Sequence, residues 1–106
     1  MQAIADRMVK LIDHLEPEGD LDSKLERLME SELQRRLARY ELVDKQLARK
    51  YGRTFDDFRN ERVIEQQGYS FEVESDSWDW EMARDGIATV QGMLSDLKGM
   101  ASDRLH

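Results

Sequence analysis

Ile4, Met8, Leu11, Ile12 and Leu15 recur at three- and four-residue steps, which places them on one stripe of a helix over residues 1–15. Glu16-Pro17-Glu18-Gly19-Asp20 ends that helix, because proline disfavours helix in the residue before it and glycine supplies a turn. Asp22 or Ser23 can cap the next helix, and Ser23 with Glu26 fits a capping box. Residues 23–51 contain neither proline nor glycine. Leu25, Leu28, Leu33, Leu37, Tyr40, Leu47 and Tyr51 give them a helical stripe, interrupted by the polar Asp44, and Gly52 suits a left-handed C-cap. Such a helix extends about 43 Å at 1.5 Å per residue, whereas a compact chain of this size is a sphere about 34 Å across. The expectation is a helix that is kinked or projects into a partner, and an intertwined or coiled-coil-like homo-oligomer is the favoured form.

Thr54 restarts the pattern, with Asp57 three residues on and Phe55, Phe58 and Val63 turned inward. This predicts a short helix over 54–67 that stops at Gly68. Tyr69-Ser70-Phe71-Glu72-Val73-Glu74 then alternates apolar with polar, which predicts a half-buried extended segment over 69–74. A lone strand forms no sheet, so its edges would pair with a symmetry mate or another protein. A last helix over 77–98 follows from Trp80, Ala83, Ile87, Val90, Leu94 and Leu97, spaced 3-4-3-4-3 like a coiled-coil seam. Trp78, Met82 and Met93 would widen that seam on one side. Gly86 and Gly92 each weaken the helix by about 1 kcal/mol relative to alanine, a cost that a close helix–helix approach would explain. The fold class is therefore mainly α, with about four helices in a single domain over residues 1–106.

Composition narrows the chemistry. The 106 residues include no cysteine, one proline and six glycines, which argues against disulfides, thiolate metal sites and a turn-rich β fold. No apolar run is long enough to cross a membrane, and no basic-then-apolar leader begins the sequence, so a cytoplasmic protein without a membrane role is expected. Charge is unevenly spread. Residues 1–30 carry net −4, residues 31–53 net +4 and residues 54–106 net −7. An acidic total of −7 lowers the expectation of nucleic-acid binding and raises that of a basic protein partner.

The candidate chemistry is thin. Arg7 and His14 fall within the loose Arg-x(4–6)-His spacing of HEPN-type ribonucleases, in which a cation meets the phosphate and a base takes a proton. The spacing arises easily by chance, and a histidine near a helix end is favoured by the dipole alone. Walker, EF-hand, Gly-x-Ser-x-Gly and His-Glu-x-x-His patterns are lacking, so no enzyme activity, metal or cofactor is expected. Arg35, Arg36, Arg39, Arg49 and Arg53 could contact phosphates, but Glu32 and Glu41 also offer ordinary helical ion pairs. No base-reading array accompanies these arginines, so specific DNA binding by the free protein is not expected. Trp78-Asp79-Trp80-Glu81 is the most unusual local sequence. On a helix its two rings lie about 200° apart, so Trp80 in the seam makes Trp78 a candidate interface anchor. Both rings in one core is the other arrangement that the pattern permits.

Three stretches together resemble the small antitoxin-like proteins of bacterial and archaeal type II toxin–antitoxin pairs. They are Ala48-Arg49-Lys50-Tyr51-Gly52, then Thr54-Phe55-Asp56-Asp57-Phe58, then Phe71-Glu72-Val73-Glu74 running into Trp78-Asp79-Trp80-Glu81-Met82-Ala83. The similarity spans roughly residues 23–98 and includes no ribbon-helix-helix head. It implies a cognate protein toxin, basic and ribonuclease-like, as the partner. The expected contact residues are Tyr69, Phe71, Glu72, Glu74, Asp76, Trp78, Asp79 and Glu81. The competing expectation is a non-catalytic, homo-oligomeric helical scaffold or adaptor.

Overall fold

A computed structural model describes residues 2–105, with side chains for residues 4–103. Among the described residues every regular element is an α-helix: α1 (Gln2–Leu15), α2 (Leu21–Tyr51), α3 (Phe55–Asn60), α4 (Val63–Gln66) and α5 (Phe71–Leu105). The chain divides into two compact units. One holds the residues up to Arg35 together with those from Gly92 onward, and the other holds Arg36–Gln91. Helices α2 and α5 thus contribute to both. Among the described residues, none of the helices is long and apolar enough to cross a membrane.

The expected extended segment at 69–74 is not extended. Ser70 caps α5, its Oγ accepting the Val73 N–H at 3.3 Å and its carbonyl accepting the Glu74 N–H at 3.0 Å. Glu72 and Glu74 then sit in the first turn, where negative charge is favoured. Phe71 and Val73 point to different sides, Phe71 87% exposed and Val73 only 2%. An apolar residue on each of two helix faces mimics the period of a strand over so short a stretch. The last helix consequently begins six residues before Ser77. It also runs past residue 98, because Gly99 adopts helical geometry and no proline follows.

Helix α2 starts two residues before Ser23 because Asp20 acts as the cap, its carboxylate accepting the Ser23 N–H at 2.8 Å. It stops at Gly52, whose φ of +65° lets the Arg53 N–H return to the Ala48 carbonyl at 3.1 Å. The single short helix expected over 54–67 is two helices. Thr54 caps α3 through the Asp57 N–H, and α3 ends where Arg62 turns left-handed at φ +54°. Gln66 Nε2 donates to the Glu61 carbonyl at 2.6 Å and so satisfies the break. The break lets Phe55 and Phe58 on α3 and Val63 on α4 all reach one core.

That core belongs to the unit Arg36–Gln91 and consists of Leu47, Phe55, Phe58, Val63, Val73 and Trp80, with Val43, Ala48, Tyr51 and Ile64 packed against it. Trp80 is fully buried, with ring centroids 5.1 Å from Phe58 and 5.3 Å from Phe55. Its indole N–H donates to Asp44 at 2.8 Å, which explains the polar residue in the α2 stripe. Of the expected α5 seam, Trp80, Ala83, Val90 and Leu97 are buried and Ile87 and Leu94 are half-buried. Trp78, Met82 and Met93 do not widen it; they are 65%, 53% and 50% exposed. The long α2 does not stand unaccompanied, since a segment of α5 faces it within each unit: Asp44 meets Trp80 and Arg84 in one, and Glu26, Glu30 and Gln34 face Leu94 and Leu97 in the other.

The two helix glycines of the sequence argument differ. A Cβ on Gly86 would stand 2.6 Å from the Tyr40 ring, whereas one on Gly92 would meet nothing within 4 Å. Gly86 therefore permits a close approach of α5 to α2, and Gly92 does not. Gly86→Ala should destabilise the protein by about 1–2 kcal/mol, overpacking outweighing helix propensity. Gly92→Ala should stabilise it by up to about 1 kcal/mol. Thermal melts should move in opposite directions, and two upward shifts would contradict the close contact.

Candidate protein-interaction surface

The exposed apolar residues at the start of α5 lie on one side of the helix. Phe71, Trp78 and Met82 follow at steps of seven and four, which fall within about 40° of one another at 100° per residue. They expose 87%, 65% and 53% of their surface. Trp80, two residues from Trp78, is fully buried, so the 200° separation places one indole inside and the other out. Glu74, Glu81 and Asp85 run along one edge of this strip and Asp79 lies across from them, all four exposed. Tyr69 precedes the helix with φ +56° and is 60% exposed. Left-handed backbone is costly for a bulky residue, of order 1–2 kcal/mol, yet here it holds a large ring outside the core.

Two of the expected contact acids are already engaged. Lys50 donates to Glu72 and to Asp76, both at 2.6 Å, and the Tyr51 hydroxyl donates to Asp76 at 2.6 Å. Burial pushes the Asp76 carboxyl up, but the hydrogen bonds from Lys50 and Tyr51 and the ammonium charge outweigh it, leaving the carboxyl below its usual range. Tyr51 is pushed up to about 12 by burial first and then by its bond to the carboxylate. Lys50 is raised by its bonds to Asp76 and Glu72. This knot ties the end of α2 to the start of α5. It shelters Asp76, whereas Glu72 is paired but exposed and stays on the surface with Glu74, Asp79 and Glu81.

The five candidate phosphate contacts differ in their surroundings. Arg35 bonds Glu32 at 3.2 Å, and Arg53 is paired with Glu61 and donates to the Tyr51 carbonyl. Arg36, Arg39 and Arg49 are exposed. The residue numbers put Arg36 and Arg49 about 140° apart around α2. Arg7 and His14 are both exposed on α1. Among the described residues no group of three or more histidines and acids stands close enough to hold a metal ion.

Sequence reasoning missed Met82 as part of the exposed strip, Asp44 as the indole acceptor, and Lys50 with Tyr51 as partners of Asp76. The signal for Met82 was present, since it lies four residues from Trp78 and on the side away from Trp80. A shallow hollow of about 270 Å³ lies beside the strip, floored by Phe55 and Phe58 and edged by Arg59, Arg62, Ser77 and Glu81. No protein-family model matches the chain, and no curated protein or solved structure matches it either.

The Asp76 knot has a definite pH signature. A carboxyl lowered on folding stabilises the protein fully above its unfolded value near 4, and that contribution is lost as pH falls on through its lower folded value. Tyr51, raised from 10 to about 12, contributes stability below pH 10 that is lost as pH rises toward 12. Denaturant midpoints should therefore decline in both windows. Tyr51→Phe should flatten the alkaline decline and remove a tyrosine that ionises near pH 12 from an absorbance titration. Persistence of that high-pH ionisation in the variant would contradict the assignment.

Proposed function

We propose that this protein is a non-catalytic, antitoxin-like binding module that docks a basic protein partner on the exposed face of α5. The observation that carries the reading is Trp78, an indole 65% exposed between Phe71 and Met82 and bordered by carboxylates. Water-facing large apolar side chains grouped on one face mark an interaction site more often than scattered ones do. Tryptophan is also over-represented among the residues that dominate binding energy. Acids at the rim steer a basic partner and suppress acidic ones, while the apolar centre supplies buried area.

The mode of recognition follows from the helix. A segment that forms the cap and first turn of α5 has no strand edge to offer, so strand addition is replaced by a helix face presented to a groove or a flat patch. Glu74 and Glu81, seven residues apart, can meet cations on one side of the strip, with Asp79 on the other. Glu72 and Asp76 act indirectly by fixing the start of α5 to Lys50. A ribonuclease-like toxin, whose RNA site must be basic, is the partner class that the acidic rim and the sequence resemblance both favour.

Co-expression with the product of the neighbouring reading frame tests this. A complex should purify whose affinity falls by about two powers of ten on Trp78→Ala, the loss typical of a central hot-spot residue. The free variant should keep its melting temperature, because Trp78 lies outside the core. Glu74→Lys with Glu81→Lys should slow association and reduce its salt dependence. Full affinity and toxin neutralisation by Trp78→Ala would remove this face from the function.

A further inference from the structure

Helix α1 is turned outward. Ile4, Met8, Leu11 and Leu15, four of the five residues of its apolar stripe, expose 59%, 58%, 65% and 64% of their surface, and Ile12 is half-buried. Its polar side instead meets α2, through Asp13 with Lys24 at 2.5 Å and Glu16 with Arg27 at 2.9 Å. A helix with so sharp an apolar stripe is built to bury it. In the same unit an open groove of about 420 Å³ runs between α2 and α5, with Leu94, Leu97 and Ala101 along α5 and Glu26, Glu30 and Gln34 along α2. The stripe and the groove match in chemistry. Arg7 and His14 border the stripe and Lys10 lies farther round the same flank, all exposed, and the α2 wall of the groove carries carboxylates.

We propose that two copies of this chain pair by laying the outward stripe of α1 of each into the α2/α5 groove of the other. This is helix-in-groove recognition, with anchors at i, i+4, i+7 and i+11. A two-fold pair makes the contact twice, since each copy brings one stripe and one groove. The stripe exposes on the order of 400 Å² of apolar surface, so burying it in both copies together with the smaller surface of the two grooves gives about 1,000 Å² in all, the lower end for a specific interface. Lys10 and Arg7 then face Glu30 of the other copy. Lys98, the one cation in the groove lining, stands on the opposite wall. Glu16-Pro17-Glu18-Gly19-Asp20 holds α1 on its own α2, and a guanidinium bond from Arg27 to the Glu18 carbonyl secures that loop, so the stripe stays turned away from its own chain. The inference is independent of the reading at Trp78.

Sedimentation equilibrium on the full chain over the micromolar range should give a dimer. Leu11→Glu should raise its dissociation constant by about a hundredfold, as for an interface anchor, with helical circular dichroism unchanged because Leu11 is exposed. Lys10→Glu should weaken pairing, and adding Glu30→Lys should restore it. The absence of native cysteine permits a direct test of register: Leu11→Cys with Ala101→Cys should give a covalent dimer on oxidation. A monomer at every concentration would overturn the proposal, as would a dimer that survives Leu11→Glu. So would a disulfide closed within one chain, which would mean that α1 fills its own groove.

Discussion

Burial of the Trp80 indole organises the unit around it. A tryptophan can be fully enclosed only if its ring has apolar neighbours on every side and its N–H has an acceptor. Phe55 and Phe58 supply two of those neighbours, Tyr51 stacks at 6.1 Å, and Asp44 accepts the N–H. These groups come from α2, from α3 and from the end of α2 beside Gly52, so one side chain of α5 fixes three stretches of chain at once. Truncating a buried aromatic typically costs about 3–5 kcal/mol, a large share of the total stability of a chain this small.

The knot of Lys50, Tyr51, Glu72 and Asp76 follows from that placement. Once Tyr51 lies against Trp80 and Phe58, its hydroxyl reaches the side of α5 four residues before Trp80. Asp76 then has two donors and Lys50 has two acceptors. Arg84 closes on Asp44 at 3.5 Å one turn farther along. These polar contacts set the rotation of α5 about its axis, and that rotation turns Phe71, Trp78 and Met82 to water. The exposed apolar face is thus a consequence of the core: the same 200° separation that buries Trp80 expels Trp78.

The unit with α1 has a different balance. Its buried side chains include Lys24 and Leu97, and the Lys24 ammonium is satisfied by Asp13. Asp13–Lys24 and Glu16–Arg27 tie α1 to α2 beside the half-buried Ile12, and ion pairs with an exposed partner contribute little, a median near 0–1 kcal/mol. A helix attached in this way keeps its apolar side available for another molecule. The two exposed strips, on α1 and on α5, therefore have separate structural causes.

Helical class, the loop at Pro17 and Gly19, the stop at Gly52, the Thr54 cap and the burial of Trp80, Ala83, Val90 and Leu97 were legible in the sequence. They depend on backbone propensity, capping chemistry and a period that acts over a few residues. The alternation at Tyr69–Glu74 misled because three apolar residues in six positions fit either period; Ser70 decided the matter by capping a helix that already continued through Trp80. The acidic set was legible as composition, but not that Lys50 would hold two of its members, the exposed Glu72 and the sheltered Asp76. That pairing requires positions 22 and 26 residues apart in sequence to meet, and local patterns carry no information about such pairs. Likewise the stripe on α1 announces that it should be buried, but whether the chain buries it itself depends on which side of α2 it docks. Tertiary packing decided that, by setting Asp13 and Glu16 against Lys24 and Arg27 and leaving the leucines outside.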